Sequence, residues 1–291
     1  MTVLEVIQRS TEFLEKKAVE SPRLQAELLL AHLLKMKRMQ LYLKFEQELS
    51  VSEVDAFREL VRRRGQREPL QYIVGSTSFC GLEITVNPHV LIPRPETELL
   101  AERGWIFLRQ LSHFPGPPKL SKLTALDFGT GSGCLAITLA AKCQEVQIQA
   151  VDISTQALAV AKQNAEHLGV AERIQFFEGD ALANWDGNHA FDLIISNPPY
   201  IPSQEIETLQ PEVRDHEPRG ALDGGPDGLD YFRRLARDAA AFLKPGGQLM
   251  MEFGDGQEEA IRKIVESEKW IVEAIQKDYN QRPRIIAVER T

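Results

Sequence analysis

Asn197-Pro198-Pro199-Tyr200 follows directly on the apolar run Phe191-Asp192-Leu193-Ile194-Ile195-Ser196. Two consecutive prolines lock the backbone and remove two amide donors, leaving carbonyl oxygens free to face a ligand. The Asn197 side-chain oxygen and the Pro198 carbonyl can then accept both hydrogens of a planar NH2 group. Tyr200 offers a flat face on which the plane of that group can lie. An amide or aryl NH2 is a poor nucleophile because its lone pair is delocalised. Two acceptors on its hydrogens raise the electron density on nitrogen and fix its direction of attack. Asn197, Pro198, Pro199 and Tyr200 are therefore the candidate catalytic set.

A second loop supplies a place for a cofactor. Ala125-Leu126-Asp127-Phe128 reads as a strand, and Gly129-Thr130-Gly131-Ser132-Gly133 follows it immediately before a helix. Glycines there let the chain turn sharply and let a ligand approach the main chain. Cys134 stands where the last glycine of a dinucleotide fingerprint belongs, which argues against that class. The G-x-G-x-G spacing after an acidic strand end instead resembles motif I of class I methyltransferases that use S-adenosyl-L-methionine. Asp152 ends the next strand about 20 residues on, where a carboxylate can accept both hydroxyls of a ribose. Asp180 ends the third strand. The resemblance implies that Asp180 accepts the adenine amino group and that its neighbour, Ala181, packs on the ring. An aromatic is common at that neighbouring position, and Trp185 is a candidate substitute. With Asn197, the cofactor set is Gly129, Thr130, Gly131, Ser132, Gly133, Asp152, Asp180 and Ala181.

These loops need a scaffold, and the pattern of the chain predicts one. From Leu123 strands are expected near 123–128, 147–151, 173–177, 191–196, 246–252, 270–275 and 284–289. Helices are expected near 133–143, 155–168, 227–243 and 256–267. The alternation predicts an α/β fold, a mostly parallel seven-stranded sheet with helices on both faces and ligands at the carboxyl ends of its strands. Before it, Val3, Leu4, Ile7, Leu14 and Ala18 form an apolar stripe at helical spacing. Ser21-Pro22 reads as a cap and first turn, Leu24 to Leu34 as a buried helix, and Met39 to Leu43 as a short piece. Another helix begins at Ser52. Gln71 to Val74, Gly75 to Ser78 and Phe79 onward read as a β-hairpin, with Gly81 marking a bulge. A helix from Pro95 to about Gln110 follows, then a Phe114-Pro115-Gly116-Pro117-Pro118 loop. The expected division is a helical domain at 1–68, a hairpin linker at 69–92 and a catalytic domain at 93–291.

Composition narrows the classes further. Of 291 residues, 43% are hydrophobic, too many for a chain that is mainly disordered. No run of roughly 18 apolar residues suggests a membrane span. The start MTVLEVIQRSTEFLEKK lacks the plan of a signal peptide, so a cytoplasmic location is expected. Three cysteines without C-x-x-C spacing and six scattered histidines argue against a disulfide framework and a metal site. Net charge is −8, but residues 1–75 hold 13 Lys and Arg against 11 Asp and Glu. The acidic excess therefore lies in the catalytic part, which disfavours a duplex nucleic-acid substrate. Arg62, Arg63, Arg64 and Arg67 read as the solvated last turn of a helix, with a contact to a nucleic-acid-bound partner as the alternative.

Taken together, the motifs resemble a specific family. Glu68-Pro69-Leu70-Gln71-Tyr72-Ile73-Val74-Gly75, the Phe79 to Val86 hairpin and Leu91-Ile92-Pro93-Arg94-Pro95-Glu96-Thr97-Glu98 are similar to release factor glutamine N5-methyltransferases of the HemK type. So are the glycine loop, Asn197 to Pro202 and the stretch Gly224-Gly225-Pro226-Asp227-Gly228-Leu229. The resemblance spans essentially the whole chain. The segment from Pro93 to Glu98 adds specificity, because the Asn-Pro-Pro-Tyr motif alone is shared with adenine-N6 DNA methyltransferases. It implies a Rossmann-like class I methyltransferase fold and methyl transfer from S-adenosyl-L-methionine, leaving S-adenosyl-L-homocysteine. The implied acceptor is the glutamine of the Gly-Gly-Gln loop of a peptide chain release factor. Arg94, Thr97 and Glu98 would line the cofactor and active-site region, and the helical domain would dock the release factor. Glu252, at the end of the fifth strand, stays outside the expected site. A monomer without metal, direct DNA binding or membrane contact is expected. Two other readings stay open: an exocyclic-amine nucleic-acid methyltransferase, and a non-catalytic cofactor-binding partner module.

Overall fold

The computed structural model describes residues 1–113, 122–180 and 190–290. The chain divides into two compact units, Met1–Ser76 with Gln210–His216, and Thr77–Leu209 with Glu217–Thr291.

The first unit is helical: α1 (Val3–Lys16), α2 (Pro22–Leu33), α3 (Arg38–Tyr42), α4 (Val51–Gly65) and α5 (Leu70–Val74). Two capping boxes start its long helices, Thr2 with Glu5 for α1 and Ser50 with Glu53 for α4. The cap of α4 is thus Ser50, two residues before the expected start. Ser21 precedes α2 but sits at φ +47° and makes no capping bond. Left-handed backbone carries its hydroxyl away from the first-turn amides, and Pro22 needs no acceptor. Val3, Ile7, Leu14, Leu29, Leu30, Leu41 and Phe57 are buried as one core, and Ile73 joins it. That burial explains why Gln71 to Val74 is helix rather than the expected strand: a short apolar run has no period of its own, and the bundle core takes Ile73.

The arginine run divides by partner. Arg62 pairs with Glu59 on the surface and Arg63 with Glu68. Arg64 is buried, and with Arg67 it holds Glu212 of the short helix Pro211–Arg214, which belongs to this unit. Arg64 Nη2 and Arg67 Nε each donate to Glu212 Oε1 at 2.7 Å. Half of the expected solvated cluster is therefore an internal anchor. Burial alone would raise the Glu212 carboxyl, but the Arg67 and Arg64 guanidiniums outweigh it and hold it down to about 2. Because the folded pKa lies below the unfolded one, the stabilisation is complete above about pH 5 and is lost as pH falls toward 2. Glu212→Gln is expected to cost on the order of 3 kcal/mol at pH 7. Urea unfolding should show the gap from wild type shrinking by roughly half near pH 3.

The second unit opens on a hairpin, β1 (Ser76–Phe79) and β2 (Leu82–Thr85). Cys80 and Gly81 both have positive φ, so Gly81 belongs to a two-residue turn and not to a bulge. The hairpin is pinned twice. Glu98 Oε1 accepts from the Cys80 amide at 2.7 Å. Asn164 accepts from Thr85 N and donates to Thr85 O, at 2.9 and 3.0 Å.

The rest is α6 (Pro95–His113), β3 (Leu123–Phe128), α7 (Cys134–Lys142), β4 (Val146–Asp152), α8 (Thr155–His167), β5 (Ile174–Glu178) and β6 (Phe191–Ser196). There follow α9 (Pro211–Arg214), already placed in the first unit, α10 (Asp230–Asp238), β7 (Leu243–Glu252), α11 (Glu258–Ser267), β8 (Ile271–Lys277) and β9 (Pro283–Glu289). The sheet runs β5-β4-β3-β6-β7-β9-β8. The five strands from β5 to β7 pair in parallel, and β9 alone runs the other way, antiparallel to both β7 and β8. This is the seven-stranded, mostly parallel sheet of class I methyltransferases. Its central strands are buried on both faces, and every residue of β6 is buried. Helix α10 starts three residues later than expected, because Gly225 to Leu229 form a loop whose Asp227 carboxylate takes the Leu229 amide at 3.2 Å.

Candidate active site

The chain order places the switch point of the sheet between β3 and β6. Phe128 and Ser196 pair there, and Ser196 Oγ donates to the Phe128 carbonyl at 2.7 Å. The glycine loop leaves one of these strands and Asn197 leaves the other, so both motifs open on one edge of the sheet.

The glycine loop is shaped by its neighbours. The Gly129 and Thr130 amides both donate to the Val151 carbonyl at 2.9 Å. Gly131 N donates to Asp152 Oδ2 at 2.8 Å, and Ser154 N to Asp152 Oδ1 at 2.9 Å. Gly129 and Gly131 have positive φ, and a Cβ on either would meet nothing within 4 Å. A ligand can therefore come against bare backbone. Thr130 and Ser132 are buried and support the loop. The Thr130 hydroxyl donates to Asp127 Oδ2 at 2.6 Å, and the Ser132 carbonyl accepts from Asn164 at 2.9 Å. Gly133 packs on Ala161 as α7 begins. Asp127 is fully buried, its Oδ1 has no partner among the described residues, and burial pushes its carboxyl up to about 7.

A cavity brings six of the expected residues together: Gly129, Gly131, Asp152, Asp180, Asn197 and Pro199. Phe128, Ile153 and Tyr231 add apolar surface. Asp152 brings a carboxylate to the cavity, which suits a cationic ligand, while the charge of Asp180 is paired with Arg234. An open glycine cradle, two carboxylates and apolar walls fit S-adenosyl-L-methionine, with its sulfonium, ribose and adenine. Asp180 is fixed by Arg234, which bonds both its carboxylate and its carbonyl. Ala181, Trp185 and the loop from Phe114 to Pro118 lie outside the described residues.

The amide-clamping loop is held from two sides. Asn197 Nδ2 donates to Thr97 Oγ1 at 3.1 Å, which occupies the donor end of the amide and leaves Oδ1 for the cavity. Pro198 is buried, and Tyr200 packs against the core around Phe253, where burial raises its hydroxyl above the ordinary value. Beyond it, Ile201 N donates to Leu222 O, Gly224 N to Ile201 O and Ser203 N to Gly225 O. Gln257 Nε2 donates to the Tyr200 carbonyl at 2.9 Å while its Oε1 accepts from Gly254 N. The glycine-rich stretch from Gly224 is thus the brace of the clamp. Gln257 and Asn164 carried no sequence signal, since each is a lone amide whose partners are distant in the chain.

Of the remaining expected residues, Arg94 bonds buried Glu217 at 2.6 Å and Glu98 bonds the hairpin turn. Neither lines the cavity, and Thr97 reaches it through Asn197. Burial pushes the Cys80 thiol up to about 12 and raises Cys134 and Cys143, so none is a thiolate at neutral pH. Among the described residues, no group of three or more His, Cys, Asp or Glu is placed to hold a metal ion. No helix among them is long and apolar enough to cross a membrane.

Comparison with known proteins agrees with this architecture. Residues 5–75 match the PrmC N-terminal domain and residues 108–211 the methyltransferase small domain. A release factor glutamine methyltransferase of Geobacter sulfurreducens is 45% identical over 89% of this chain and 87% of its own. Another, of Chlorobaculum tepidum, is 43% identical over 97% of this chain and 95% of its own. The hMettl16 catalytic domain, solved in complex with MAT2A 3'UTR hairpin 6, superposes with a TM-score of 0.55 over 72% of this chain and 76% of that one. At 15% identity that likeness shows the shared fold alone. On the extent and level of identity to the curated relatives, the chain belongs to the release factor glutamine methyltransferase family.

Proposed function

We propose that the protein transfers the methyl group of S-adenosyl-L-methionine to the side-chain amide nitrogen of the glutamine in the Gly-Gly-Gln loop of peptide chain release factors. The observation that carries this reading is the Asn197 amide. Its nitrogen is tied off on Thr97 and the residue lines the cavity, so its side-chain oxygen is left as an acceptor there, next in the chain to the Pro198 carbonyl. A carboxamide NH2 has two hydrogens to give, and those two oxygens accept them. The face of Tyr200 supports the carboxamide plane, and the lone pair of nitrogen is aimed at the cofactor cavity. When bound, the cofactor supplies a methyl carbon made electrophilic by its sulfonium. The extra proton on nitrogen leaves to solvent after transfer, and S-adenosyl-L-homocysteine is the second product. Gly129, Gly131, Asp152, Asp180 and Asn197 would hold the cofactor. The helical residues 1–68 would dock the release factor, giving binding energy far from the reacting atom. Residues 69–92 would serve as linker and 93–291 as the catalytic domain. The reading is of a cytoplasmic monomer.

Methyl-labelled S-adenosyl-L-methionine tests it against three acceptors: a release factor, the same factor with its loop glutamine replaced, and duplex DNA. Label in the first alone is expected. Label in DNA would support base methylation instead, and label in none would leave a cofactor-binding module.

A further inference from the structure

We propose that the ion pair between Arg94 and Glu217 is a positioning latch. It holds together two chain segments that wall the cofactor cavity, and through them it sets the affinity for S-adenosyl-L-methionine. This rests on the reading that the cofactor occupies that cavity.

The two segments are far apart in sequence. His89, Val90 and Leu91 line the cavity from one, and Pro218, Gly220 and Ala221 line it from the other. Residues 86–94 are in neither helix nor strand, and the second segment forms only the short turn Arg219–Ala221. Neither has the ladder of main-chain bonds that fixes a strand, so side chains must set the distance between them.

Glu217 supplies the tie. It stands directly before Pro218, and its carboxylate reaches the first segment twice. Oε1 accepts from Arg94 Nη2 at 2.6 Å, and Oε2 accepts from the Ile92 amide at 3.4 Å. The Glu217 side chain is 1% exposed, so salt screens the pair little. Each segment also continues into the amide clamp. The first runs into α6, where the Thr97 amide donates to Arg94 O at 3.1 Å and the Thr97 hydroxyl accepts from Asn197. The second runs to Leu222, whose carbonyl accepts from the Ile201 amide at 3.0 Å. The latch therefore closes a circuit from Asn197 through Thr97, Arg94 and Glu217 to Ile201. A buried ion pair adds little stability over apolar side chains of the same volume. What this one fixes is a single spacing of the two walls, and walls already in place spare the ligand the cost of ordering them.

The test measures the dissociation constant of S-adenosyl-L-homocysteine by calorimetry, and steady-state methylation, in Glu217→Gln, Arg94→Met, Arg94→Lys and Lys244→Met. Glu217→Gln keeps the volume but loses the charge and one acceptor, and Arg94→Met loses the donor. In both, the dissociation constant and the KM for the methyl donor are expected to rise ~10-fold, with kcat falling less. Arg94 gives Glu217 one N–H bond, so Arg94→Lys keeps a cation in its place and should return to within about threefold of wild type. Lys244→Met is the control: it breaks the 2.7 Å pair with Asp192 at the amino ends of β6 and β7, away from the cavity, and should leave the dissociation constant unchanged. The latch is overturned if Glu217→Gln and Arg94→Met bind like wild type, if Arg94→Lys is no better than Arg94→Met, or if Lys244→Met weakens binding as much. Wild-type protein that binds no S-adenosyl-L-homocysteine would overturn the cofactor reading instead. Hydrogen exchange of the ligand-free protein then reads the latch alone. Faster exchange across 87–94 and 217–222 in Arg94→Met than in wild type and Lys244→Met supports it, and equal rates contradict it.

Discussion

Asn197→Ala is expected to lower kcat for methyl transfer by ~10²–10³-fold, the range seen when one aligned polar contact to a reacting group is removed. The substitution deletes Oδ1, and it also frees Thr97 of its partner. The Pro198 carbonyl alone can hold one amide hydrogen, so the carboxamide keeps a rotational freedom that the two-acceptor clamp removes. The loss should fall on kcat, because Asn197 is one of many groups lining the cavity, while Asp152 and the glycine loop stay in place. Rates at saturating methyl donor, with donor affinity measured separately by calorimetry, check this. A donor affinity changed less than about tenfold with kcat down a hundredfold or more fits the clamp. An unchanged kcat would remove Asn197 from the chemistry.

Gly228→Ala should be nearly as damaging although Gly228 touches no ligand. Gly228 has φ +76°, and a Cβ there would stand 2.3 Å from the Tyr200 carbonyl and 2.8 Å from Gln257 Nε2. Left-handed backbone for alanine costs ~1–2 kcal/mol and overpacking ~1–3 kcal/mol, so a stability loss of roughly 2–5 kcal/mol is expected. The Tyr200 backbone must also shift, and with it the clamp. A displacement near 1 Å at reacting atoms costs on the order of 100-fold in rate. Gly246→Ala is the control: its φ is +75°, but its Cβ would meet nothing within 4 Å. It should lose only the backbone penalty and keep its activity. Thermal melting and kcat, measured on both variants, separate the two effects. Equal behaviour of the two would mean that the brace does not position the loop.

The site was legible in the sequence where chemistry and strand ends coincide. Asn197-Pro198-Pro199-Tyr200, the glycine loop, Asp152 and Asp180 sit at the ends of β6, β3, β4 and β5, because alternating strands and helices mark strand ends well. What holds those residues was not legible. Glu252 reads as any acid closing a strand until the fold buries it. Gln257 is one amide among many until it bonds the Tyr200 carbonyl 57 residues away. Arg64 and Arg67 look like a solvated helix end, and only their pairing with Glu212 shows otherwise. The helix at Leu70–Val74 was read as strand for the same reason, since its state is set by the core that Ile73 enters. Periodicity reports which face is buried, and it is silent on the partner.

The most direct test of the account is a crystal structure of the protein with S-adenosyl-L-homocysteine and a peptide bearing the Gly-Gly-Gln loop. The glutamine amide nitrogen is expected at about 3 Å from both Asn197 Oδ1 and the Pro198 carbonyl oxygen, with the carboxamide lying on the Tyr200 ring. A glutamine bound elsewhere, or an Asn197 amide turned so that its nitrogen faces the peptide, would contradict it.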